Sequence, residues 1–119
     1  MPDLTRQEVI KILAVTDGAR LGGVDLAGVD LSGLNFSGAD LIRANLQGAN
    51  LTYAYLRRAH LEWSNLEGAN FTNANMKEVD LKAANLRHAN LTGANLTDAN
   101  LFKTDLDGAV LDHAVGLER

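Results

Sequence analysis

The chain contains no cysteine among its 119 residues. That removes disulfides, zinc–thiolate sites and thiol nucleophiles, and it fits a reducing compartment. No run of about 18 apolar residues occurs, so no segment is suited to span a membrane. The opening residues, Met1-Pro2-Asp3-Leu4, lack a basic stretch followed by an apolar one. No secretory leader is therefore expected, and the cytoplasm is the expected location. Net charge is -4, and the length fits one domain able to fold alone.

What the sequence has instead is a period of five. From Val24 to His113 it divides into 18 pentapeptides without an insertion. The middle residue is Leu in 15 of them, with Phe36, Phe71 and Met76 as the exceptions. Two residues earlier stands Ala in 12 units, and between the two stands Asn or Asp in 15. An α-helix cannot use this spacing, because five steps of about 100° scatter the leucines around every side. A flat strand fails as well, since an odd step sends successive leucines to opposite faces. The chain must bend once per unit. The small residue and the leucine, two apart, then both point inward. Glycine closes seven units, among them Gly28, Gly48 and Gly68, as a bend with positive φ requires. Each buried leucine contributes roughly 1.5–3 kcal/mol, enough for a narrow tube to be stable.

The Ala-Asn/Asp-Leu-x-x consensus of residues 24–113 resembles the pentapeptide-repeat family. The resemblance implies an all-β solenoid, a right-handed four-sided (quadrilateral) β-helix. Four sides of five residues imply 20 per coil, and the 18 units then make about four and a half coils, about 22 Å tall.

The ends break the pattern. Thr5-Arg6-Gln7-Glu8 fits a capping box. Val9, Ile10, Ile12 and Leu13 follow as one apolar face, predicting a short helix over 5–15 that lies on the first coil. Val24, Val29 and Leu34 are larger than the usual alanine and are expected to fill space beneath it. The expected organisation is 1–23 as N-terminal capping helix and connection, 24–113 as the repeat domain and 114–119 as a C-terminal tail. Leu106 and Leu111 are expected to be exposed at the last coil. Homodimerisation through that coil is the simplest protection, as the resemblance also implies.

Nothing in the pattern suggests catalysis. A convex tube with a filled interior offers no pocket, so no catalytic or cofactor-binding residues are assigned. His60, His88 and His113 fall on different sides, so no metal site is assigned from the histidines. The periodic Asn and Asp residues read as a scaffold feature with ladder hydrogen bonding. A column of Ser32, Thr52, Thr72 and Thr92 resembles a threonine ladder, for which β-branched stacking is sufficient reason.

Some members of the family mimic DNA and modulate type II topoisomerases such as gyrase, which gives an alternative function. A DNA mimic needs a continuous acidic face. In the two positions after each middle residue, acids such as Glu62, Glu67 and Glu78 are interleaved with bases such as Arg57, Lys77 and Arg87, and no such face forms. The same interleaving argues against direct nucleic-acid binding. The expected function is that of a non-catalytic structural or protein-interaction module.

One stretch, Tyr53 to Trp63, holds the single Trp and both Tyr of the chain. Tyr55 and His60 replace the usual Asn/Asp, and Tyr53, Arg58 and Trp63 take positions often held by Gly. Tyr, Trp and Arg are the types enriched in binding hot spots. With Arg43 one layer from Trp63 and Lys77 one layer from Arg57, the candidate interaction patch is Arg43, Tyr53, Tyr55, Arg57, Arg58, His60, Trp63 and Lys77, facing a protein or an anionic ligand.

Overall fold

A computed structural model describes residues 1–15 and 17–117 of the protein. Residue 16 of the predicted connection and residues 118–119 of the predicted tail lie outside the described residues. A single helix, α1 (Arg6–Val15), precedes the coils. Its start is the predicted capping box: the Thr5 N–H donates to Glu8 Oε1 at 2.9 Å, and the Glu8 N–H donates to Thr5 Oγ1 at 3.2 Å. Two orphan donors of the first turn are thereby satisfied. Val9 is fully buried, and Ile12, Leu13 and Leu4 pack on the same core. Ile10, expected on that face, is half-buried and outside the core, and Leu4 packs there from ahead of the helix.

Beyond the helix, parallel bridges join each residue of the Asn/Asp position to the residue twenty further on, from Arg20↔Asp40 to Asn95↔Val115. One coil therefore takes twenty residues and four bends. The bridges are isolated and no extended strand forms among the described residues. A five-residue unit spends its other residues on the bend, so only one per side forms a bridge, and the bend adds one further bond to the next coil. The ladder starts one unit ahead of Val24, at Ala19–Gly23. Ala19 and Leu21 are buried there, although Arg20 replaces the Asn/Asp.

Each unit repeats the same backbone bonds. The Leu46 and Gly48 N–H groups donate to Asn65 and Glu67 carbonyls on the next coil at 2.7 and 2.9 Å. The Asn65 N–H donates back to the Ala44 carbonyl at 3.0 Å, and the Ala49 N–H closes the bend onto the Leu46 carbonyl at 3.0 Å. Positive φ at the third residue of the bend alone is the signature of a type II turn. Non-glycine residues fill that position too, Ala83 at φ 57° and Trp63 at φ 60° among them.

The interior is the predicted column. Leu26 through Leu96, with Phe36, Phe71 and Met76, are buried beside small residues such as Ala44 and Ala84. Where the small position is polar, the hydroxyl finds a carbonyl: Ser64 Oγ donates to Leu61 O at 2.6 Å and Thr104 Oγ1 to Leu81 O at 2.8 Å. A buried hydroxyl without such a partner would cost about 1–3 kcal/mol.

The Asn and Asp residues serve the bend more than the ladder. In all fifteen units that carry one, its Oδ1 accepts the N–H two residues on, at 3.0–3.2 Å. This is the local turn bond that short polar side chains favour. Side-chain bonds along that column from coil to coil join only Asn45 to Asp25, Asn50 to Asp30 and Asn100 to Asp80 among the described residues. The expectation of ladder bonding is corrected in this respect: the carboxamide reaches its own turn more readily than the next layer.

The two edges of the stack differ. At the first coil, Asp3 exchanges bonds with Asp25, its N–H donating to Asp25 O at 2.7 Å and its Oδ2 accepting the Asp25 N–H at 2.8 Å. Arg6 Nη1 donates to the carbonyls of Asp30 and Ser32 at 3.0 and 3.2 Å. At the last coil, the N–H groups of Leu101, Lys103, Leu106, Gly108, Leu111 and His113 meet no acceptor among the described residues. An open depression of about 750 Å³ lies there against Leu101, Leu106, Leu111 and Leu117.

Candidate functional site

Within residues 24–113 three units give up the turn-closing Asn/Asp, those of Tyr55, His60 and Val110, besides Arg20 in the unit ahead of them. Two are consecutive and fall in the aromatic, basic stretch singled out from the sequence. Positions that break a local rule in an otherwise consistent scaffold are where function is first sought.

The coil distributes the predicted residues in a way that the sequence did not anticipate. Tyr53 and Trp63 are ten residues apart, half of a twenty-residue coil, and so lie on opposite sides of the tube. The candidate residues form a belt around half a coil and not one corner. Two clusters emerge within it.

In the first, Arg43 and Trp63 end units stacked on the same side, both in left-handed backbone at φ 62° and 60°. The Arg43 guanidinium carbon lies 5.6 Å from the Trp63 ring centroid, a cation–π contact. Trp63 remains 52% exposed. On the same side, His60 Nδ1 lies 3.4 Å from Glu62 Oε1.

In the second, Arg57 and Arg58 converge on Glu78 of the next coil. Arg58 Nε donates a short hydrogen bond to Glu78 Oε2, and Arg57 Nε is 3.8 Å from the same oxygen. The Arg58 hydrogen bond holds the Glu78 carboxyl below the ordinary carboxylate range, and the charges of Arg58, Arg57 and Lys77 act in the same direction. Tyr55 begins this side and is 52% exposed, while Tyr53, at 64%, stands at the preceding bend.

Glu62, Glu78 and Asp80 were not among the predicted site residues. The twenty-residue register held the signal, since it sets Glu78 beneath Arg58 and Asp80 beneath His60.

The threonine column is tied down. Thr52, Thr72 and Thr92 donate their hydroxyls to Asn50, Asn70 and Asn90 Oδ1 at 2.9, 2.6 and 2.6 Å. Their hydrogen atoms are spent on the scaffold. No helix among the described residues is long and apolar enough to cross a membrane.

A parallel coil with four bends per twenty residues and an Asn/Asp-closed turn in each unit defines a repeat solenoid. The chain belongs to the pentapeptide-repeat family, whose model, described as "Pentapeptide repeats", matches residues 19–54, 44–82, 54–93 and 80–115. Among solved structures, the pentapeptide-repeat protein Rfr23 from the cyanobacterium Cyanothece 51142 is 40% identical with a TM-score of 0.76. The match covers 77% of this chain and 63% of that one. HetL from the cyanobacterium Nostoc sp. strain PCC 7120, involved in heterocyst differentiation regulation, is 32% identical with a TM-score of 0.51, covering 82% of this chain and 57% of that one. The chain thus spans less than two thirds of either protein. QnrB1, a plasmid-mediated fluoroquinolone resistance protein, is 16% identical with a TM-score of 0.57, covering 89% of this chain and 66% of that one. That likeness concerns the fold alone. No curated protein matches the sequence.

Proposed function

We propose that this chain is a non-catalytic, right-handed quadrilateral β-helix acting in the cytoplasm as a protein-interaction module. Its binding surface spans two adjacent sides of one coil and carries Tyr55, Arg57, Arg58, His60 and Trp63. The observation that carries this reading is the loss of the turn-closing Asn/Asp at Tyr55 and His60, in a scaffold that keeps it in fifteen units. Large aromatic and guanidinium groups stand exposed there on a rigid backbone, the arrangement expected of hot-spot residues. HetL, at 32% identity, is a pentapeptide-repeat protein involved in heterocyst differentiation regulation, a role with which this reading is compatible.

The third unit without Asn/Asp, at Val110, belongs to the last coil. Val110 is 42% and Leu111 38% exposed beside the unpaired amides. A second copy, related by a two-fold axis, is the proposed cover for this edge. Sedimentation of the protein should show a dimer, and Leu111→Glu a monomer. A wild-type monomer would remove this part of the reading.

Nothing specific favours DNA mimicry. Several acids are neutralised in place, Glu78 by Arg57 and Arg58, and Asp105 and Asp107 by Arg87 at 3.5 and 3.2 Å. The protein should leave gyrase supercoiling unchanged. Inhibition or protection of gyrase at stoichiometric protein would reverse the assignment. The interaction side is tested by affinity capture with wild type beside a Tyr55→Ala/Arg58→Ala/Trp63→Ala variant of equal circular dichroism. A partner held by wild type and lost by the variant is expected, and equal retention would move the site elsewhere.

A further inference from the structure

His60, Glu62 and Asp80 present one ligand atom each, and these three atoms lie within 4.8 Å of one another. The scaffold fixes them. His60 and Asp80 are bridged on adjacent coils, and the Leu61 N–H donates to the Asp80 carbonyl at 2.8 Å. Glu62 follows His60 by two residues, across the start of a bend. The Asp80 carboxylate is itself held, its Oδ1 accepting the Lys82 N–H at 3.0 Å and Asn100 Nδ2 at 3.2 Å.

Glu62 Oε1 is the anomaly. It is the one side-chain polar atom among the described residues that is both removed from solvent and without a hydrogen-bond partner. A carboxylate oxygen in that condition is costly. Its neighbour, His60 Nδ1 at 3.4 Å, does not hydrogen-bond to it. An imidazole nitrogen and a carboxylate oxygen 3.4 Å apart without a hydrogen bond are spaced as two ligands of one ion. Zinc bonds of 2.0–2.2 Å set two tetrahedral ligands about 3.4 Å apart. Lys82, one coil on from Glu62, makes no ion pair with it among the described residues.

We propose that His60, Glu62 and Asp80 form a divalent transition-metal site of the zinc type. One imidazole and two carboxylates suit a borderline ion better than calcium or magnesium, which prefer oxygen alone. Three protein ligands leave a further position for water. The site also gives a reason for histidine at position 60, where asparagine would have closed the turn. Asp80 and Asn100 supply the outer support that orients a ligand.

The test uses Zn²⁺ by calorimetry and Co²⁺ by visible absorption. Trp63, next to Glu62 and the single tryptophan of the chain, reports Co²⁺ binding through quenching of its fluorescence. Wild type should bind one Zn²⁺ and quench with Co²⁺ at matching stoichiometry. His60→Asn, which restores a turn-closing side chain and should fold at least as well, should weaken Zn²⁺ binding by tenfold or more and abolish quenching. Glu62→Gln and Asp80→Asn should do the same, while His88→Ala on another side should bind as wild type does. No stoichiometric Zn²⁺ uptake by wild type, or unchanged affinity in His60→Asn, would overturn the proposal and leave His60 and Glu62 as a plain side-chain contact.

Discussion

Arg43 holds its guanidinium carbon 5.6 Å from the centroid of the Trp63 ring, across the gap between two coils. The two side chains meet because twenty residues separate them and twenty residues close one coil. A contact of this kind at an exposed site is worth about 0.5–1 kcal/mol. A double-mutant cycle with Arg43→Ala and Trp63→Ala, followed by urea unfolding, should return a coupling of that size. Zero coupling would reduce the stack to incidental surface geometry.

The turn bond makes a second prediction, and its direction is unusual for changes at a candidate site. Tyr55→Asn and His60→Asn each restore an acceptor for the N–H two residues on, and each should raise stability by about 1 kcal/mol. Asn90→Ala removes an Oδ1 that accepts both the Thr92 N–H and its hydroxyl. It should cost about 1–2 kcal/mol. Should the two asparagine variants be less stable than wild type, stability would not have been given up at these positions.

Left-handed backbone sets a third. Ala83 holds φ 57° where Gly68, at φ 68°, faces open space. A Cβ in this region costs about 1–2 kcal/mol, offset in part by the greater freedom of glycine in the unfolded chain, about 0.4–1 kcal/mol. Ala83→Gly should therefore raise the midpoint of thermal unfolding slightly, and Gly68→Ala should lower it. Opposite signs in the two variants are the outcome that matters. Equal signs would mean that backbone strain is not what differs between them.

Two carboxyls give a pH dependence. Asp30 is held below the ordinary range first by the Ser32 hydroxyl at 2.7 Å, then by the Ser32 N–H at 3.0 Å, with the charge of Arg6 assisting. Glu78 is held down by Arg58. A carboxyl depressed in the folded state takes up its proton more readily once unfolded. Its stabilisation is full above about pH 4 and is lost as pH falls through the folded value. Nuclear magnetic resonance titration should show the Glu78 midpoint rising in Arg58→Ala and the Asp30 midpoint rising in Ser32→Ala. The stability deficit of each variant should be present at about pH 6 and vanish near pH 2. A deficit independent of pH would locate the loss in packing.

Much of the fold was legible because each pentapeptide states its own geometry. Leu46 and Ala44, two apart, had to share a direction, and the capping box at Thr5 and Glu8 announced α1 almost to the residue. The first unit, Ala19–Gly23, escaped notice because Arg20 stands where Asn or Asp was sought, although Ala19 and Leu21 keep the inward pattern. The contribution of Leu4 to the cap was hidden by its position ahead of the helix. Apart from Arg43 and Lys77, which the twenty-residue register placed by layer, the candidate patch was named by residue type, and type says nothing about which side of a coil a residue faces.

By itself, then, the sequence determined the period, the inward columns and the bend in every unit, since those depend on residues no more than five apart. The tertiary structure decided which surface groups meet. His60 reaches Asp80, Arg58 reaches Glu78 and Arg43 reaches Trp63 because the closing of each coil brings residues twenty apart to the spacing of one layer. Whether such a pair touches depends on the rotamer that each side chain takes above a fixed backbone, and only the folded layers set that choice.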